Sequence, residues 1–288
     1  MIPMCKTTYE ALTRASSFLE ENNREKEVAR YLLQHVLKKN YSQLMFAMYD
    51  ELSTEDFKTF WSYVEEHATG RPFQYIIGQE TFYGRDFFVN ENVLIPRPET
   101  EELIVEVKKR VKTLFDANKI LQVADIGTGS GAIAVTIKKE IPNAEVTGTD
   151  ISEQALEVAL ENAQLLDAEI QFRKGDLLAP ISLQKWDVVL SNPPYIGLHE
   201  AETLSDTVID YEPHLALFAE EDGLQLYRKM AEQLPSMMNV PSFIGFEIGY
   251  EQGVAVQNML QTAFPKALVE VVQDINKKNR FVFCTITE

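Results

Sequence analysis

The sequence predicts an α/β fold: a doubly wound sheet finished by a C-terminal antiparallel hairpin, with a small helical domain in front of it. Three observations carry this. From Ile120 onward, short apolar runs alternate with segments of helical period, the pattern of parallel strands joined by right-handed crossovers. The last two runs, 267–275 and 281–287, are separated only by Asn276-Lys277-Lys278-Asn279-Arg280, too short a link for a crossover helix, so they pair antiparallel. Up to residue 80, apolar positions recur at helical spacing and charge is nearly balanced, with 9 basic and 12 acidic side chains against 18 and 32 in the remainder. The domains expected are a helical domain over 1–72, a β-hairpin linker over 73–97 and a sheet domain over 98–288.

In the helical part, Thr7 and Glu10 have capping-box spacing ahead of Tyr9, Leu12, Phe18 and Leu19. Val28, Tyr31, Leu32, His35 and Val36 mark a second helix that ends at Lys38-Lys39-Asn40. Ser42 is the expected cap of a third helix. Ser53 with Asp56 opens a fourth, whose Phe57, Phe60, Trp61 and Val64 share one face and read as bundle core. Gly70-Arg71-Pro72 breaks the pattern, and 73–95 reads as short strands turning at Gly78 and Gly84. A Pro-rich start and the acidic turn Glu99-Thr100-Glu101-Glu102 launch a helix to about Phe115. Strands are expected at 120–126, 144–150, 169–175, 186–191 and 242–248, and helices near 130–140, 152–166, 222–234 and 250–263.

The 288 residues suffice for a large core and carry a formal charge of −17. Such a surface repels nucleic acid at long range. No apolar run reaches the roughly 18 residues of a membrane span, and Met1-Ile2-Pro3-Met4-Cys5-Lys6 has no export-signal pattern. Cys5 and Cys284 lie near opposite ends and form no disulfide framework, which fits the cytoplasm. His35, His67, His199 and His214 show no ligand spacing, so no metal is expected, and His199 and His214 read as structural.

Two stretches carry chemistry. In Asp125-Ile126-Gly127-Thr128-Gly129-Ser130-Gly131-Ala132 a strand runs into a helix through glycines, which allow a tight turn and close approach of backbone to a ligand. Asp150 ends the next strand, where a carboxylate can bind the two ribose hydroxyls of an adenosine. With Ala132 in the last position the stretch also fits the dinucleotide pattern, so a nicotinamide oxidoreductase is a rival reading. The second stretch is Asp187-Val188-Val189-Leu190-Ser191-Asn192-Pro193-Pro194-Tyr195. A buried strand ends in an amide, two prolines that take the chain rigidly out of the sheet, and an aromatic ring. The Asn192 oxygen and a proline carbonyl can accept the two hydrogens of a planar NH2 group while Tyr195 packs on it.

A parallel sheet ended by an antiparallel hairpin resembles the class I S-adenosylmethionine (SAM) methyltransferases. Asp125 before the glycines and the Asn-Pro-Pro-Tyr run point the same way, and in such enzymes the loop holding Asp176-Leu177 flanks the adenine. Asn-Pro-Pro-Tyr is shared by enzymes that methylate NH2 groups of conjugated systems, in DNA bases and in glutamine. Gly70-Arg71-Pro72-Phe73-Gln74-Tyr75-Ile76-Ile77-Gly78, Phe82-Tyr83-Gly84, Val93-Leu94-Ile95-Pro96-Arg97-Pro98-Glu99-Thr100-Glu101, Tyr211-Glu212-Pro213 and Asp222-Gly223-Leu224 resemble the HemK/PrmC family of release factor glutamine methyltransferases. The resemblance implies methyl transfer from SAM to the glutamine nitrogen of the Gly-Gly-Gln motif in class 1 peptide-chain release factors. It implies SAM contacts at Gly127, Thr128, Gly129, Ser130, Gly131, Asp150, Asp176, Leu177 and Asn192. Substrate binding falls to Asn192, Pro193, Pro194 and Tyr195, with Asn192, Pro193 and Tyr195 catalytic. The resemblance assigns docking of the protein substrate to the helical domain over 1–72. A monomer with no DNA or membrane partner is expected. The alternatives are a DNA adenine or cytosine amino-methyltransferase, which the acidic charge opposes, and a SAM-binding adaptor without catalysis.

Overall fold

The structure, a computed structural model, describes residues 5–288, so the reading of Met1-Ile2-Pro3-Met4 lies outside the described residues. The chain divides into two compact units. The first is the chain to Gly78 together with Ser205–Tyr211, and the second is Gln79–Leu204 with Glu212–Glu288.

The first unit contains α1 (Thr8–Glu21), α2 (Val28–Leu37), α3 (Tyr41–Phe46), α4 (Thr54–Ala68) and α5 (Phe73–Ile77). Leu19, Leu32, Leu33, Phe60 and Val64 are fully buried between them. Thr7 and Ser53 cap α1 and α4 through their side chains, as the spacing predicts. At α3 the cap is Asn40 instead of Ser42. The Asn40 side chain accepts the Gln43 N–H at 2.9 Å and the Gln43 side chain accepts the Asn40 N–H at 3.0 Å, a reciprocal pair that Ser42, inside the first turn, cannot form. Residues 73–77 are helical rather than extended. Pro72 fixes the entry and Gly78, at φ +69°, ends the turn, so helix punctuation overrides the β-branched and aromatic composition between them. The detached helix α9 (Asp206–Tyr211) belongs to this unit through an Arg24–Asp206 ion pair at 2.9 Å and the Tyr211 hydroxyl at Thr69.

The second unit begins with the hairpin β1 (Gln79–Phe82) and β2 (Arg85–Phe88) and the helix α6 (Pro98–Leu114). Then come β3 (Leu121–Ile126), α7 (Ala132–Glu140), β4 (Ala144–Asp150), α8 (Glu153–Leu165), β5 (Ile170–Lys174) and β6 (Trp186–Ser191). After β6 the chain forms the short parallel pair β7 (Ile196–Gly197) and β8 (Phe218–Ala219), with α10 (His214–Leu217) before β8. The unit closes with α11 (Gln225–Gln233), β9 (Met238–Glu247), α12 (Gly253–Ala263), β10 (Leu268–Gln273) and β11 (Asn279–Ile286). The main sheet has seven strands among the described residues, in the order β10-β11-β9-β6-β3-β4-β5. β10, β11 and β9 pair antiparallel and the rest parallel. Side chains alternate between two cores. Val123, Val188, Leu190 and Phe283 face α6 and α7, and Ala124, Val189, Phe246 and Val282 face α11 and α12.

Strand order reverses between β3 and β6, and there the strands end in step. Ile126 pairs with Thr149 and Ser191, and Ser191 with Phe246. The residues that follow are Gly127, Asp150, Asn192 and Glu247; the first three line one crevice, and Glu247 is buried outside its wall. Fully buried Asn162 on α8 braces its rim. It exchanges hydrogen bonds with the Phe88 N–H and carbonyl at 2.6 and 2.9 Å and donates to the Ser130 carbonyl at 2.9 Å. Asn162→Ala leaves these backbone groups unpaired and is expected to destabilise the protein by about 2–4 kcal/mol. Urea denaturation measures this, and an unchanged midpoint would refute the bracing role.

Candidate active site

A cleft of about 260 Å³ opens at the carboxyl ends of β3, β4 and β6. Its floor is the glycine loop. Gly127, Gly129 and Gly131 all have positive φ, at +71°, +54° and +79°. A Cβ on Gly127 or Gly129 would point into open space, so backbone here can approach a ligand closely. Gly131 has a different task. Its Cβ would lie 3.2 Å from that of Ala159, so this glycine lets α7 pack on α8, and it is absent from the cleft wall.

The loop's own hydrogen bonds limit what it can bind. Gly127 and Thr128 donate to the Thr149 carbonyl, Gly131 to the Thr128 carbonyl, and Gly129 to Asp150 at 2.9 Å. A diphosphate needs such N–H groups free. Two carboxyls add negative character. Asp125 is buried, accepts from the Thr128 hydroxyl at 2.6 Å and the Ala134 N–H at 3.2 Å, and keeps Oδ1 unpartnered. Burial, reinforced by nearby Asp150, pushes its carboxyl up to about 7. Burial also raises Asp150, against the pull of the Ser152 and Gly129 N–H groups. The cleft therefore suits a ligand that is cationic near the loop and carries hydroxyls for Asp150.

Asp176 and Leu177 line the opposite wall. Leu177, at φ +48°, directs its carbonyl to the Thr149 hydroxyl at 3.0 Å. Of the Asn-Pro-Pro-Tyr run, Asn192 and Pro194 line the cleft. Pro193 is buried and Tyr195 packs against the core beneath β6, and neither forms part of the wall. Burial first, then the charge of Glu247, pushes the Tyr195 phenol up to about 12. The Tyr195 carbonyl is gripped by the Gln252 side chain at 2.8 Å, and Gly223, φ +81°, lies so near it that a Cβ there would overlap the oxygen.

Sequence reasoning gave no role to two residues behind Asn192. Asn192 Nδ2 donates to Thr100 Oγ1 at 3.3 Å, and Thr100 Oγ1 donates to Glu247 Oε2 at 2.7 Å. Thr100 reads in sequence as one residue of an acidic helix start, and only the fold brings it under Asn192. The Pro-Arg-Pro-Glu and Tyr-Glu-Pro stretches also converge here, through an Arg97–Glu212 ion pair at 2.6 Å whose carboxylate is buried. His199 and His214 are exposed and line no part of the cleft.

Fold and cleft define a class I methyltransferase. Residues 10–78 match the PrmC N-terminal domain and residues 110–211 the methyltransferase small domain. The chain is 51% identical over 277 residues to a release factor glutamine methyltransferase of Bacillus cereus, covering 96% of this chain and 98% of that protein. A protein of the same name from Bacillus subtilis is 44% identical, with 98% of both chains covered. The fold matches a methyltransferase from Pyrococcus furiosus with a TM-score of 0.53 at 15% identity, covering 72% of this chain and 92% of that one. The chain belongs to the release factor glutamine methyltransferase family.

The Asp125 carboxyl yields a test. A carboxyl raised on folding favours the folded state while protonated. That contribution is complete below the ordinary value of 3.8 and is lost as pH rises through about 7. The wild-type protein without ligand should lose stability relative to Asp125→Asn between pH 4 and 8, by on the order of 1 kcal/mol per unit of displacement. Parallel pH–stability curves for the two would contradict this.

Proposed function

We propose that this protein transfers a methyl group from SAM to the side-chain nitrogen of the glutamine in the Gly-Gly-Gln motif of class 1 release factors. The reading rests above all on Asn192, an amide presented at the end of β6 beside a cleft suited to a cationic adenosine ligand. SAM fits that cleft. Gly127 and Gly129 leave room for it, Asp150 has lone pairs left for ribose hydroxyls, and Asp125, buried behind the loop and outside the wall, keeps one oxygen unpartnered. A nicotinamide dinucleotide is disfavoured, because the loop spends its N–H groups internally beside two carboxyls.

Bound SAM supplies a methyl group that its positively charged sulfur already makes electrophilic. The chain's task is to position a poor nucleophile, since an amide nitrogen shares its lone pair with its carbonyl. Asn192 Oδ1 accepts an N–H of the glutamine, which aims its nitrogen and stabilises the positive charge that develops there, while Pro193, buried outside the wall, keeps the turn rigid. Tyr195 stiffens the turn from beneath and keeps the amide plane fixed. No side-chain base is needed before transfer, and the proton leaves afterwards, to water or to another acceptor.

The helical unit is read as the platform that docks the release factor. Its exposed Phe46 and Tyr49 supply apolar contact area. Replacing both with Asp should raise the KM for release factor at least fivefold and leave SAM affinity unchanged, and an unaltered KM would sink this part. A monomer acting in the cytoplasm, where release factors work, completes the reading.

Incubation with labelled SAM and either a release factor or duplex DNA, followed by mass mapping, tests the reaction. Label on the Gly-Gly-Gln glutamine is expected, and label on DNA alone would replace the reading with the base-methylating one. Asn192→Ala should lose about 100-fold or more in rate while still binding SAM. Near wild-type turnover in that variant would remove Asn192 from the chemistry.

A further inference from the structure

We infer that Thr100 and Glu247 set which way the Asn192 amide faces, and so act as positioning residues for methyl transfer. The inference rests on the glutamine-methylating reading and adds a control to it.

Ionised Glu247 can only accept, so the Thr100 hydroxyl hydrogen points to Oε2, at 2.7 Å. The Thr100 oxygen is then left with lone pairs alone on the side facing Asn192. Only the NH2 end of the Asn192 amide can meet it, at 3.3 Å. The amide is planar, so its oxygen points away from Thr100. That is the end needed to accept an N–H from a substrate carboxamide. A free asparagine side chain could turn either end outward, and the wrong end would set NH2 against NH2.

The fold supplies this chain from three elements. Thr100 sits in the first turn of α6, Asn192 follows β6, and Glu247 ends β9 beside it, with Ser191 in register with Phe246. Thr100 and Glu247 are both buried. The Tyr227 hydroxyl of α11 donates to the Glu247 backbone carbonyl at 2.6 Å and fixes the residue from below. The charged and titratable groups around the carboxyl are Arg280 of β11, Glu99 and Arg97 at the start of α6, Tyr195, and Tyr227 of α11. Burial pushes the Glu247 carboxyl up to about 7, against the pull of the Thr100 hydroxyl, Arg280 and Arg97.

Protonation reverses the sequence of bonds. A neutral Glu247 can donate to the Thr100 oxygen, which frees the Thr100 hydrogen for Asn192. The amide then turns its oxygen inward and shows NH2 to the cleft. Methyl transfer should therefore weaken as pH falls through about 7. Asp125 titrates in the same range, so the test has to separate the two.

Single-turnover transfer to a saturating release factor is measured from pH 6 to 9, with SAM affinity read in parallel. The wild type should lose about tenfold between pH 8 and 6, as a single ionisation near 7 requires. Thr100→Val, which keeps the shape and removes the hydroxyl, should lower the rate at pH 8 by about 10- to 100-fold with SAM affinity within about twofold. Thr100→Ser should recover most of that loss. Glu247→Gln has no proton to gain or lose and should flatten the acid limb whichever end of its amide meets Thr100. It carries the pH test independently of any disturbance of α6 by the valine. A Thr100→Val rate within about twofold of wild type, a loss confined to SAM binding, or an acid limb that persists in Glu247→Gln would each overturn the inference. A wild-type protein that places no methyl on the release factor glutamine would instead overturn the underlying reading.

Discussion

The register of three neighbouring strands governs this site. Ile126, Ser191 and Phe246 lie side by side, so the chain leaves β3, β6 and β9 at one level. A slip of one residue in β6 would turn every side chain of that strand to the other core and carry Asn192 out of the crevice. The two prolines then stop further pairing and hold the exit stiff. Gln252 and Gly223 clamp the Tyr195 carbonyl from the far side, so the turn is held at both ends.

Holding acceptors and carboxyls in such a place destabilises the fold. Asp125 and Glu247 are both buried and both raised to about 7, and one Asp125 oxygen has no partner. A hydrophobic pair would pack there with less penalty. On the proposed function they serve what enters the cleft: a positive ligand would satisfy the negative loop, and an oriented amide would meet a neutral carboxamide. The half-buried acidic residues at the start of α6 follow a different logic. Glu101 and Glu102, which read as helix N-terminal charge, accept the Tyr83 and Ile275 N–H groups and tie the hairpin and the β10–β11 connection to α6.

Much of the fold was legible because its signals are local. Apolar runs and turn residues placed β3, β4 and β6, and the short link at 276–280 made β10 and β11 antiparallel. The glycine loop and Asn-Pro-Pro-Tyr were legible for the same reason: each is a few consecutive residues at the end of a strand. What escaped depends on residues far apart in sequence. Thr100 and Glu247 are separated by most of the second unit, and neither has a neighbour that marks it. Asn162 looks like any polar residue of a surface helix until β2 is laid against it. Ser205–Tyr211 joins the helical unit through Arg24, which no composition shift announces. The errors at Ser42 and 73–77 were local ones, where a capping residue two positions earlier and a Pro–Gly frame outweighed the simpler cue.

The most direct measurement is a crystal structure of the protein with S-adenosylhomocysteine and a Gly-Gly-Gln peptide. The account places the glutamine NH2 about 3 Å from Asn192 Oδ1, with Asn192 Nδ2 still on Thr100. A glutamine bound elsewhere, or an Asn192 that turns its NH2 to the peptide while transfer still proceeds, would contradict it.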